Sequence, residues 1–427
     1  MIHLIRMWLI CATILIGSPA LATDTVPAGS MITLEEAIQK ALTTSPRLKA
    51  YAAGRLASEG ERQQAGLWTN PEIGIEAENI AGNGPYNSFN SAEVTYGVSQ
   101  LIEVGGKRGA RVEVANQAVN LAGFDQETAR LDLIRDVTLA YVKAVAAQEE
   151  VTLTQEQQTL AGEVLETVSN RVNAAREPLI QKSKADVTMA TSRIAYEKAQ
   201  RQLVTAKRLL ASLWGESTND YTLDGSAFFN ITEPTHFDPT SEAWKNTPDF
   251  SRWEAEIARS KAAHQLEKAN AIPDPSIDAG VRDFQESGDQ AFILGVSLPI
   301  PILNQNQGNI VRARQEVARA ESTRDDVALT LSSQLTEAQQ ELETSYHQAV
   351  ALHQTILPSA EEAFKLSREG YGLGKFSYLE VLDAQRTLNE TRAQYHETLK
   401  DYHRSRADVE RLTAAYHPAE GENHVKK

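Results

Sequence analysis

From Arg111 to Asn173 the chain runs about 60 residues without proline and with only two glycines, Gly123 and Gly162; at ~1.5 Å per residue, one helix of that length reaches ~90 Å, about three times the width of a small domain. A compact globule cannot enclose it. Its apolar residues fall into two stripes. Leu133, Val137, Ala140, Ala144, Ala147 and Val151 step by four and three, and Leu131, Ile134, Tyr141 and Val145 repeat the rhythm on an adjacent face. A helix striped twice needs neighbours on both sides, which suits a stave in the wall of a tube. The alanines let those neighbours approach closely at small crossing angles.

The N-terminus has Arg6, an apolar run from Met7 to Ile16, and Gly17-Ser18-Pro19-Ala20-Leu21-Ala22. This is the form of a secretory signal, read as residues 1–22. The run is too short for a spanning helix. Cys11 is the only cysteine and lies inside the leader, so the processed chain is expected to hold no thiol nucleophile, disulfide or thiolate metal site. The net charge of −15 argues against nucleic acid as a partner. After Ala22 no stretch reaches the length of a transmembrane helix, so any entry into a membrane must be by β-strands.

Taken in order, Thr33-Leu34-Glu35-Glu36 forms a capping box that starts a helix running to about Leu67, interrupted near Pro46. After Asn70-Pro71 the period becomes two. Glu72, Glu76 and Glu78 alternate with Ile73, Ile75 and Ala77, as in a strand with one oily and one wet face. A loop with Gly82-Asn83-Gly84-Pro85, a second strand, a glycine-rich bend at Gly105-Gly106 and the long helix follow; Ala174 to Pro178 turns the chain into a returning helix that ends near Trp214. The same order then recurs: Asn70-Pro71-Glu72-Ile73 is paralleled by Asp274-Pro275-Ser276-Ile277, and both second strands carry Gly-Val-Ser. Pro358 is expected to kink the second long helix. The divisions are a first structural repeat over 23–217 (strands near 71–79 and 93–102, hairpin near 109–214), a connector over 218–240, a second repeat over 241–415 (strands near 275–283 and 291–299, hairpin near 309–413), and a disordered tail over 416–427. A duplication at roughly 200 residues is far too long a period for a solenoid.

Two strands per repeat make four per chain. Four cannot close a membrane barrel, the smallest of which use about eight, and an open edge in lipid leaves backbone groups unpaired. Three copies would bring twelve strands, each near the ten or so residues of a tilted crossing. The expected fold class is therefore mainly α with a β-barrel contribution: antiparallel helical hairpins forming a trimeric α-barrel tunnel, and four strands per chain completing a 12-stranded transmembrane barrel. The competing reading is a water-soluble four-stranded sheet capping a helical bundle, which leaves the long double-striped helix unexplained.

This order of elements resembles the TolC family of outer-membrane efflux proteins over essentially the whole processed chain. Gln100-Leu101-Ile102-Glu103-Val104-Gly105-Gly106-Lys107-Arg108 and Leu298-Pro299-Ile300-Pro301-Ile302-Leu303-Asn304-Gln305-Asn306-Gln307-Gly308-Asn309-Ile310 are similar to its CzcC-like branch, the outer-membrane members of cobalt, zinc and cadmium exporters. The resemblance implies a homotrimer in outer-membrane lipid, a long periplasmic portion, and docking to a periplasmic adaptor and a proton-driven inner-membrane pump of the RND type. It also implies that Glu380 and Asp383 match the acidic ring narrowing the periplasmic entrance, and that Tyr371 matches a tyrosine latching it. The latch's usual arginine is replaced by Phe376, with Lys375 beside it as a stand-in.

Spacing alone says that Glu380 and Asp383 share one helix face, which equally describes a solvated surface. The second-repeat turn is matched in the first by Gln181 and Lys184, so the two turns are not equivalent. In a barrel, Glu72, Glu76 and Glu78 must face the lumen, because charge on the lipid face is costly. An acidic lumen favours cations, whatever the cargo. His347 and His353 are six apart and His396 and His403 seven, neither the i, i+4 spacing of a shared ion, so no resident metal is expected. Gly105-Gly106-Lys107 lacks the remaining spacing of a nucleotide loop, no catalytic grouping stands out, and neither cofactor nor enzyme activity is expected. The expected function is a passive outer-membrane duct for heavy-metal cations. The alternatives are a duct for drugs or other small molecules, and a periplasmic adaptor.

Overall fold

The computed structural model describes residues 31–217, 220–234 and 242–415. The leader expected over 1–22, the tail expected over 416–427 and parts of the 218–240 connector lie outside the described residues.

The chain starts with a two-residue strand β1 (Met31–Ile32), then α1 (Leu34–Thr44) and α2 (Pro46–Ala65). Thr33 and Glu36 cap α1 reciprocally, Glu36 N donating to Thr33 Oγ1 at 3.2 Å and Thr33 N to Glu36 Oε2 at 2.9 Å. Pro46 opens α2 at a position where a missing N–H costs nothing. Strands β2 (Glu72–Glu78) and β3 (Glu93–Leu101) lead to α3 (Lys107–Asn173), 67 residues long and so about 100 Å by its rise per residue. The return is α4 (Leu179–Ser212); β4 (Thr222–Leu223) pairs with β1 in parallel, a small sheet that the alternation pattern did not reveal because each strand has only two residues.

The second half runs α5 (Pro248–Asn270), β5 (Ser276–Phe284), β6 (Gln290–Ser297) and α6 (Gln307–Ala351). A π-turn, Leu352–Ile356, separates α6 from α7 (Leu357–Gly372), and α8 (Tyr378–Thr413) closes the hairpin. At the expected kink site the structure has this π-turn instead of a break in the helix. Pro358 lies in the first turn of α7 and has no N–H for the preceding turn, so the backbone widens by one residue rather than breaking.

Burial follows the two stripes. Leu133, Val137, Tyr141, Ala144 and Val145 form the main core with Ile38, Leu210, Trp214, Leu223 and Leu399, where α1, α4 and α8 meet α3. Tyr141 fastens the small sheet, its hydroxyl donating to either the Ile32 carbonyl (2.8 Å) or the Asp224 carbonyl (2.9 Å); burial pushes its phenol up to about 12. A second core lies at the far end of the hairpins, where Val164, Val168 and Ala185 of the first meet Phe364, Tyr371, Tyr378 and Val381 of the second.

The four longer strands form one antiparallel sheet in the order β2-β3-β5-β6, so β2 and β6 are both free edges. The sheet and the hairpin turns occupy opposite ends of the long helices.

Candidate functional site

Side chains at directly paired positions of an antiparallel sheet share a face. The register Ile75↔Tyr96↔Val281↔Phe292 and Ile73↔Val98↔Ala279↔Leu294 therefore draws one apolar surface across all four strands. Among the described residues nothing covers it: Ile73 is 83% exposed and Phe292 93%. The opposite face carries Glu72, Glu76, Glu78, Glu93 and Asp278, together with the glycine row Gly74↔Gly97↔Gly280. At Gly280 an added Cβ would lie 2.7 Å from the Tyr96 carbonyl oxygen, so only glycine permits that strand spacing.

The three expected lumen acids thus share one face, in more company than expected. Arg282 reaches across β5 and β3 to donate to Thr95 Oγ1 and to Glu93, each at 2.9 Å, and pairs with Glu78 at 2.9 Å. Glu78 is therefore partly neutralised, whereas Glu72 and Glu76 are exposed with no salt bridge among the described residues. Arg282 escaped the sequence reading although it is the sole basic residue of the four strands and falls on the polar register.

At the opposite end, α7 closes in a tight turn. Gly374 adopts φ +75°, allowing Lys375 N to donate back to the Gly370 carbonyl at 2.8 Å and Gly374 N to the Tyr371 carbonyl at 3.0 Å. Tyr371 is buried against Tyr378, with 5.9 Å between ring centroids. Its partner comes from the other hairpin: the Arg171 guanidinium lies 4.7 Å from the Tyr371 ring centre, donates to the Tyr371 carbonyl at 2.9 Å, and pairs with Glu177 at 3.4 Å. Burial raises the Tyr371 phenol, Glu177 adds to the rise and Arg171 opposes it. The stand-in Lys375 is exposed and has no ion pair among the described residues, while Phe376 lies on Gly370. Arg171 and Glu177 end the first hairpin, 200 residues away for Arg171, and no local pattern joined them to Tyr371.

Glu380 and Asp383 are exposed in the first two turns of α8. Glu380 also accepts from Ser377 N at 2.6 Å as half of a capping box, so one oxygen is held by its own helix. Asp383 has no salt bridge among the described residues. Three of the described histidines lie against aromatic rings: His403 stacks on Phe228 (5.7 Å), exposed His353 on Tyr395 (5.5 Å), and His396 packs edge-on to Phe228 and Phe229. Among the described residues, no group of three or more His, Cys, Asp or Glu side chains could hold a metal ion, and no helix is long and apolar enough to cross a membrane.

Residues 37–216 and 240–415 match the family model described as outer membrane efflux protein. The chain is 28% identical over 385 residues to the cobalt-zinc-cadmium resistance protein CzcC of Cupriavidus metallidurans, covering 90% of each. It is 25% identical over 376 residues to the pyoverdine export outer membrane protein OpmQ of Pseudomonas aeruginosa, covering 83% of this chain and 79% of that protein. Among solved structures it superposes on CusC with a TM-score of 0.74 at 17% identity, covering 92% of this chain and 95% of that one, which speaks for the fold.

Proposed function

The chain belongs to the outer membrane efflux protein family, and from that premise we propose that three copies join into one passive duct carrying heavy-metal cations out of the cell. The observation that carries this reading is the sheet. It has four strands, two free edges, one exposed apolar face and one acidic face. Pairing β6 of one copy with β2 of the next leaves no edge in lipid once three copies close a twelve-stranded ring. The apolar face then meets hydrocarbon, where a charge costs about 2–4 kcal/mol at mid-depth, and the acids line the water path. That path favours cations, and similarity to CzcC supports metal cargo.

In this reading the two repeats, 23–217 and 241–415, each contribute two strands and one hairpin, delivered behind a cleaved leader over 1–22. The hairpin ends form the periplasmic entrance, which docks on a periplasmic adaptor fed by an inner-membrane pump. Glu380 and Asp383 ring the entrance, and Tyr371, held by Arg171, fixes the second hairpin turn to the first. Phe376 and Lys375 shape the turn that carries them. The duct stores no metal and catalyses nothing; the force comes from the pump.

Similarity to OpmQ favours a second reading, the same duct with a small organic cargo. Deleting the gene and challenging cells with zinc, cobalt, cadmium, copper and silver separates the two. Tolerance to at least one metal should fall and return with the gene; unchanged tolerance to all five removes the metal cargo.

A further inference from the structure

We propose that the apolar segment Leu298–Leu303 docks against Leu67 and Trp68 of a second copy of this chain, sealing the foot of the wall below the strands. The inference rests on the reading that copies pair through their sheet edges, and specifies where side chains must meet when they do.

The segments at the foot follow the strand order. Residues 67–70 enter β2 beside the segment leaving β3, where Thr69 Oγ1 donates to the Leu101 carbonyl at 3.0 Å. That segment lies beside the one entering β5, with Ile102 N donating to the Pro275 carbonyl at 2.9 Å and Val104 N to Asp274 Oδ1 at 2.9 Å. Residues 298–304 leave β6 at the far side. The strands alternate in direction, so β6 of one copy meets β2 of the next antiparallel. Its outgoing segment then lies beside the incoming 67–70 of the neighbour.

Both lateral segments are apolar and open, Leu67 and Trp68 at 55% and 60% exposure and Ile300 and Leu303 at 78% and 88%. The middle of the foot is charged instead, with Lys107 paired to Asp274 at 2.6 Å and Arg111 to Glu103 at 2.6 Å. A belt made for lipid headgroups would cross the whole foot; here the oily residues gather at the two ends a neighbour would reach.

Two further details specify the contact. Pro299 and Pro301 have no N–H, which removes two donors from any ladder continued past Leu298 and leaves more of the joint to side chains. Trp68 is set in place before any partner arrives. Arg108 lies 4.8 Å from its ring centre and donates to the Gly66 carbonyl at 2.6 Å, and Arg111 donates to the Leu67 carbonyl at 3.2 Å. The indole thus has one face on the guanidinium and one face free. On the other lateral side, a groove of about 650 Å³ runs between residues 299–304 and Ile272-Pro273, with Lys107 also in its wall, and is roomy enough for an indole ring.

The test uses the full-length chain carrying Cys11→Ser, which leaves no native thiol. In intact outer membranes, Trp68→Cys with Ile300→Cys, and separately Leu67→Cys with Ile302→Cys, should shift on oxidation from monomer to covalent dimer and trimer on a non-reducing gel. Each single cysteine variant should stay monomeric on that gel. Native mass in detergent is read in parallel. A trimer that neither pair cross-links overturns this contact and leaves the duct standing, whereas a monomer overturns both. Loss of quenching by brominated lipid in Trp68→Phe would place lipid, not protein, on that ring and overturn the docking as well.

Discussion

His403 shows how a polar residue comes to serve packing. Its ring is stacked on Phe228 and its Nε2 lies 2.9 Å from the Phe228 carbonyl oxygen. Burial pushes its pKa below the usual 6.5, Arg406 pushes the same way, and the carbonyl and Glu410 resist. A depressed folded-state value means the neutral ring's contribution to stability is complete above the ordinary value and is lost as pH falls through the depressed one. Thermal unfolding of the wild type should therefore drop in temperature as pH falls below the ordinary histidine value of about 6.5, and His403→Gln should show a flatter slope there. Equal slopes would mean that this ring does not titrate on unfolding. His396 is depressed for the same first reason, burial, and adds to the slope in the same sense.

Among the elements, the turn between α7 and α8 is held by several backbone contacts at once. The Lys375 and Phe376 amides both point at the Gly370 carbonyl, and an added Cβ on Gly370 would lie 2.2 Å from Phe376 Cδ2. Gly370→Ala should destabilise the hairpin end by ~1–3 kcal/mol, the usual range for overpacking. Hydrogen exchange across residues 370–378 reads it out. Adding Phe376→Ala should restore most of the protection, because the three nearest atoms to the added Cβ all belong to that ring; failure of the rescue would place the strain in the backbone. The Phe376 ring was legible in sequence only as a substitute for an absent arginine. Its role against Gly370 needed the turn's backbone path, which local residue types do not encode.

For the whole molecule, the duct reading places acids at two points of the water path, on the sheet and at the entrance, and both bear on ion preference. Glu380 has two tasks, capping α8 and contributing charge, so alanine would confound them. Glu380→Gln keeps a capping side chain and, with Asp383→Asn, removes both charges. In planar bilayers this double variant should move the reversal potential toward equal cation and anion permeability. An unmoved potential would transfer the selectivity to Glu72, Glu76 and their neighbours on the sheet.

The long proline-free helix, its two stripes, the strand pairs and the free-edge problem could all be read from residue order, since each follows from a period or a missing breaker acting over neighbouring positions. The capping box at Thr33 and the bend at Gly105-Gly106 were local in the same sense. What only the tertiary structure decided was which distant residues meet: Arg171 with Tyr371, Arg282 with Glu78 and Glu93, Tyr141 with two carbonyls of the small sheet. Those pairings join segments about 80 to 200 residues apart, and they depend on how the hairpins pack and which strands are neighbours, which no short-range pattern carries.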